Sequence, residues 1–396
     1  MKNIILLSGL LLIGLTISQF LPSLIPSNNY NDSIHYIRIL TSLALAFIMI
    51  RVGYEFKFHK NTLSEYGWDY LVAAGSATFS WIFVALYFIF VLSDTATVTV
   101  WKESLLASRF AAPTSAGILF SMLAAAGLAS TWMYEKVKIL AIFDDLDTVL
   151  LLIPLKIFLV GWAWQLGIGV LPMFLLLWVA WRYLHQLHIP ITWPWVISYA
   201  IIIVLASEGI HRFSMLIDNS IPIHCEVLLP AFVLGCMIVK ENNNHVIERP
   251  TEKRVTLLIS AIFMVLVGLS MPSIINIADL KDSLTPSLEQ TLDWGWIFVH
   301  VILVTFVSNI GKLFPLFFYR KEAHWKERLA LSISMFPRGE VGAGVLILSI
   351  SYGIGGPMVM VAMLSLTLNL LLTGVFIIIV KKLLNGAGVK GTPKLV

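Results

Sequence analysis

The sequence is short of charge and of cysteine, and each shortage excludes a class of protein. Asp, Glu, Lys and Arg make up 13% of the 396 residues, against 58% hydrophobic, and the mean hydropathy is +0.86. A soluble domain carries roughly a quarter charged residues, so a water-borne globule is excluded. The two cysteines, Cys225 and Cys236, lie eleven residues apart in one predicted helix, which leaves no disulfide framework; they read as packing residues. None of the nine histidines has another four residues away, so a helical zinc pair is missing, and no cofactor is expected. Nothing reads as a soluble second domain, and about sixteen residues follow the last apolar run, so no attached nucleotide-binding domain is expected.

What the chain does have is long apolar runs. About 20 mainly apolar residues cross a bilayer as a helix. Twelve such stretches follow one another: Ile4 to Leu21, Ile37 to Phe56, Tyr70 to Ser93, Ser104 to Ser130, Ile139 to Trp162, Gly167 to Tyr183, Pro190 to Ser207, Pro222 to Val239, Val255 to Met271, Trp294 to Phe318, Leu329 to Tyr352 and Pro357 to Val380. The expected fold class is an all-α polytopic membrane protein of about twelve transmembrane helices. The first stretch, after Lys2, has the charge of a secretory signal, but its length and the lack of a small-x-small cleavage site after Ser18 argue for a retained span.

Cytoplasmic loops retain Lys and Arg. With the N-terminus inside, nineteen of the 27 basic residues fall on the inner side and four, Arg38, Lys102, Arg212 and Lys281, on the outer. Both termini are therefore expected in the cytoplasm, in a bacterial-type inner or plasma membrane. This bias accounts for the net charge of +4 without nucleic-acid binding.

An ionisable side chain at the bilayer centre costs a few kcal/mol unless it is paired or hydrated, so those inside spans carry most information. Arg109 is in the fourth span, Asp144, Asp145, Asp147 and Lys156 in the fifth, Lys312 in the tenth, and Arg338 and Glu340 in the eleventh. On a helix Asp144, Asp147 and Thr148 share one face, while Asp145 is turned by about 100°. Two neighbouring acids can thus flank one cavity; the competing reading is a hydrated helix end. Lys312 lies about 12 Å of helix before the basic loop at Arg320, a long reach for snorkelling. A buried lysine without a carboxylate tends to lose its proton, so pairing with Asp144 or Asp145 is expected.

Two spans are interrupted. The fourth contains Pro113-Thr114-Ser115-Ala116-Gly117 and the eleventh Pro337-Arg338-Gly339-Glu340. Proline within a helix removes a hydrogen bond, and freed backbone groups at membrane depth are tolerated where they line a cavity or are buried in protein. Spans three to five and ten to twelve cross in opposite senses, each with the interrupted helix in the middle. That is the arrangement of inverted repeats whose broken helices meet at a midplane site.

Asp144-Asp145, Gly311-Lys312 and Pro337-Arg338-Gly339-Glu340-Val341-Gly342 resemble, in that order, motifs of the sodium/proton exchanger family of the cation:proton antiporters. Phe232-Val233-Leu234-Gly235 and the apolar run from Phe263 through Val267-Gly268 to Met271 are weaker echoes. The resemblance implies a core, taken as 70–162 and 294–380, moving against a panel, taken as 4–56 and 167–271, that mediates a homodimer. It implies that Asp145 binds the cation and exchanges protons, with Asp144 beside it paired to Lys312. Thr114, Ser115 and Pro337 would lie where the broken helices cross, and Arg338 and Glu340 would hold that crossing together. Asp147, Lys156, Arg109 and Leu146 depart from the pattern.

The activity so implied is monovalent cation/proton antiport, with sodium as the cation: a buried carboxylate binds either a dehydrated cation or a proton before the core turns to the other side. Oxygen ligands from Asp145, Asp144, Thr114 and backbone carbonyls suit such a hard ion. Release of the Lys312 proton would permit two protons per sodium. The alternative is a sodium-coupled organic-anion symporter of related architecture, which would move sodium without protons. A channel would conduct without countertransport. An intramembrane aspartyl protease draws its acids from separate helices, and no Gly-x-Gly-Asp occurs, so no enzyme activity is expected.

Overall fold

A computed structural model describes residues 2–25, 27–55, 63–93, 97–160, 175–176, 178–179, 182–183, 186–217, 227–239, 250–271, 294–351 and 356–386. Helices dominate: α1 (Lys2–Leu24), α2 (Ser27–Glu55), α3 (Leu63–Tyr87), α4 (Val98–Ala107), α5 (Ala116–Ala125), α6 (Trp132–Val160), α7 (Trp193–Ile217), α8 (Leu228–Met237), α9 (Pro250–Leu269), α10 (Trp294–Gly311), α11 (Trp325–Ser334), α12 (Glu340–Ser351) and α13 (Gly356–Gly386). No strand is present among the described residues. A lipid-embedded chain must satisfy its backbone polar groups internally, and the helix does this within one segment.

Six described segments are long and apolar enough to cross a membrane: Ile4–Ser23, Asp32–Tyr54, Glu65–Leu92, Trp193–Ser214, Trp294–Phe317 and Pro357–Gly386. Helix α6, with 29 residues, is as long but carries the acidic cluster. The expected fourth and eleventh spans are each two short helices, α4 with α5 and α11 with α12, joined by non-helical segments. Most of the expected sixth span, Gly167 to Tyr183, lies outside the described residues.

The chain divides into two compact units. One comprises Met1–Tyr30, Asn61–Leu151 and Val267–Val396; the other comprises Asn31–Lys60 and Leu152–Leu266. In the first, α10 packs against α3 and α13. Gly311 permits the closest approach: a Cβ there would stand 2.4 Å from Ser80 Cα and N, and the Ser80 hydroxyl donates to the Ser308 carbonyl at 3.0 Å. In the second unit α2 and α8 touch through facing glycines, a Cβ on Gly53 falling 2.3 Å from the Phe232 carbonyl oxygen. There Arg51 pairs with Glu252 at 2.8 Å.

Candidate ion site at the crossing of two interrupted helices

Helix α4 ends in a 3-10 turn, Ser108–Ala111, and the chain is non-helical until α5 begins at Ala116. Pro113 explains the break, because it cannot donate to the preceding turn. Helix α11 likewise stops at Ser334, and α12 starts only at Glu340, with Pro337 between. The two open segments cross in contact. Ser115 N–H donates to the Pro337 carbonyl at 2.9 Å, and the Thr114 hydroxyl donates to the Met335 carbonyl at 3.1 Å. A Cβ on Gly339 would come within 2.8 Å of Ile118 Cδ1 and 3.0 Å of Ser115 Oγ, so glycine is what lets the segments meet.

Broken helices present partly positive N–H ends and partly negative C=O ends. Ionised side chains complement both kinds here. Asp144 accepts the Thr114 N–H at 2.8 Å just before α5. On the carbonyl side, Lys312 Nζ donates to the Ala112 oxygen at 2.5 Å. Arg338 donates to the carbonyls of Ala111 at 3.1 Å, Ser308 at 3.0 Å and Phe336 at 3.3 Å. Arg338 is fully buried, and its fork geometry suits several acceptors at once.

At the centre Lys312 Nζ lies 2.9 and 2.8 Å from the two Asp144 oxygens, both side chains 0% exposed. With Thr114 N–H added, Asp144 is bonded on both oxygens. Asp145 follows it on α6, 4% exposed. Asp147 is also buried, with the Tyr70 hydroxyl 3.4 Å from Oδ1; Arg109 is buried within the 3-10 turn. The structure thus brings Asp144, Lys312, Thr114, Ser115, Pro337 and Arg338 into one bonded constellation, with Asp145 adjacent along α6. Glu340 opens α12, but its side chain, like those of Thr148 and Lys156, lies outside the described residues.

Several participants carried no role in the sequence reading. Asn309 accepts from Arg338 Nη1 at 2.8 Å and donates to Asn369 Oδ1 at 3.0 Å. One turn away, Thr305 and Ser365 hydroxyls meet at 2.9 Å. The available signal was two matched polar pairs, each four residues apart, on otherwise apolar spans. Among the described residues no group of three or more His, Cys, Asp or Glu side chains converges to hold a metal.

Three comparisons bear on the fold and family. Residues 3–383 match the family model described as "Sodium/hydrogen exchanger, transmembrane". Among solved structures, the fold is similar to the sodium proton antiporter MjNhaP1 from Methanocaldococcus jannaschii at pH 8, with a TM-score of 0.58 and 15% identity over 93% of this chain and 91% of that one. No curated protein matches the sequence.

Proposed function

The chain belongs to the sodium/hydrogen exchanger family, and from that premise we propose that it exchanges a monovalent cation, sodium first, for protons, with Asp145 as the residue where the two compete. The observation that carries the assignment is the full set of bonds on Asp144: Lys312 on both oxygens and Thr114 N–H on one. Asp144 is thereby a fixed structural anion, and exchange falls to the next carboxylate, Asp145, turned by about 100° on the same helix. Thr114 and nearby carbonyls supply the uncharged oxygens that a hard cation prefers.

In this mechanism a cation and a proton displace one another from Asp145, so each state crosses with its charge compensated. Lys312 holds Asp144 in the empty and proton-loaded states and couples its own proton to cation entry. Arg338, with Glu340 at the start of α12, keeps the crossing assembled while Thr114, Ser115 and Pro337 form it. Residues 70–162 and 294–380 act as the moving core against a panel of 4–56 and 167–271, through which two copies pair. Both termini face the cytoplasm of a bacterial-type cell, as the distribution of Lys and Arg supports.

The test is proton movement in proteoliposomes under an imposed pH gradient, with sodium, lithium or potassium added to wild type and to Asp145→Asn. Collapse of the gradient in wild type and none in the variant is expected. A variant that exchanges like wild type removes Asp145 from the role. Sodium-dependent uptake of an organic anion with no proton movement would return the symporter reading.

A further inference from the structure

The chain segments that build the ion site meet a second time, toward the N-terminal end of α6. Lys136 precedes Asp144 by eight residues, about 12 Å along the helix. Its Nζ lies 3.2 and 3.3 Å from the Asp69 oxygens on α3 and 3.2 Å from Glu322 Oε2. Tyr319, between the 3-10 turn Phe314–Phe317 and α11, donates its hydroxyl to Asp69 Oδ1 at 2.7 Å. The Lys136 ammonium stands 5.0 Å from the centroid of the Tyr319 ring, and Trp132 meets that ring edge-on at 5.9 Å. Asp69 and Tyr319 are 1% and 5% exposed.

Tyr319 also has φ 55, the only positive value on a non-glycine among the described residues. A bulky side chain is strained there, and such strain persists only where surrounding contacts over-determine it. Burial, and after it the Asp69 carboxylate, push the Tyr319 phenol far above its ordinary range, so the hydroxyl stays protonated and keeps donating. The connection to which Tyr319 belongs has both ends in the ion site: Lys312 at one, bonded to Asp144, and Pro337 at the other, bonded to Ser115.

We propose that Asp69 and Tyr319 are positioning residues for cation binding, clamping the middle of the Lys312–Pro337 connection to α3 and, through Lys136, to α6. The clamp keeps Lys312 and the crossing segments in register with Asp144 and Asp145. All its members lie in the same compact unit, so the clamp is internal to that unit. Its loss strikes the geometry of binding and spares the moving step. The proposal rests on the exchange reading above.

The experiment compares wild type with Tyr319→Phe, which removes only the hydroxyl, and Tyr319→Gly, which also relieves the backbone strain. Sodium-driven proton exchange in proteoliposomes is expected to show an apparent KM for sodium raised about fivefold or more in both variants, with turnover at saturation within about twofold of wild type. An unchanged KM in Tyr319→Phe, or a loss carried by turnover alone, overturns the clamp. So does wild-type KM in Tyr319→Gly, which would reduce the contact to an answer to local strain. Sodium titrations of thermal unfolding in detergent give affinity without transport. If wild type binds sodium there but moves no protons, the exchange reading fails, while a midpoint displaced to higher sodium in the variants still supports the clamp and identical midpoints overturn it. Wild type that binds no sodium overturns both.

Discussion

Replacing Lys312 by methionine removes the ammonium and keeps most of the stem. Its Nζ sits 2.9 and 2.8 Å from the Asp144 oxygens, and neither side chain is exposed. At an effective dielectric of about 20, a charge pair at that separation attracts by roughly 6 kcal/mol before desolvation is counted. Removing one member of a buried pair leaves the other uncompensated and costs about 3–5 kcal/mol. Unfolding entropy of about 2.1 cal/mol/K per residue amounts to about 0.8 kcal/mol/K for 396 residues, so the loss lowers Tm by about 5 °C. Asp144→Asn is expected to fall by a similar amount, because it strands the lysine. The double variant leaves two neutral groups, so its Tm is expected near that of either single variant and well above the additive value, a coupling of about 3 kcal/mol. Thermal unfolding of the four detergent-solubilised proteins measures the cycle. Additive losses, or a Lys312→Met protein as stable as wild type, would refute the idea that this pair is an anchor.

Three further substitutions probe the frame around that pair. Gly311→Val places a Cβ 2.4 Å from Ser80 Cα and N, and because both atoms are backbone the helices must separate; overpacking costs about 1–3 kcal/mol or more. Gly344→Ala on α12 has nothing within 4 Å of its new Cβ and gains about 0.5–1 kcal/mol of helix stability. The expected order of Tm is Gly344→Ala above wild type above Gly311→Val, and equal values for the two variants would show that the α3–α10 contact is loose. Arg338→Lys keeps the charge but cannot reach three carbonyls and Asn309 from one atom; leaving buried acceptors unmet costs about 1–3 kcal/mol. Exchange is expected to fall about five- to 150-fold from that loss, and near-normal exchange rates in Arg338→Lys would show that charge alone is needed at the crossing.

The sequence was most informative where the bilayer leaves few solutions. Spans are legible because lipid demands an apolar helix of fixed length, and the interruptions are legible because Pro113 and Pro337 cannot sit in an unbroken one. A buried lysine points to a carboxylate for the same reason, so Lys312 directs attention to Asp144 and Asp145. Which of the two it meets could not be read from spacing. Adjacent residues differ by about 100° around the helix, and the choice depends on where the Ala112 carbonyl and Thr114 N–H are left by unwinding. Backbone acceptors have no signature in side-chain order, and three of the groups Arg338 serves are carbonyls.

The clamp at Tyr319 was illegible for a different reason. Asp69, Lys136 and Glu322 each flank an apolar run, where a charged residue is ordinarily explained by water at the membrane surface. Only the return of the chain after α10 buries Asp69 beneath Tyr319 and joins three charges at span ends into one network, with Asp69 buried and Glu322 left at the surface. Charges deep in a span announce themselves by their energetic cost, whereas charges at its end are recognised only when folding takes their water away. A search for positioning residues in this chain is therefore best directed at the span ends, where Lys381 likewise reaches across to the Ala126 carbonyl at the end of α5, at 2.7 Å.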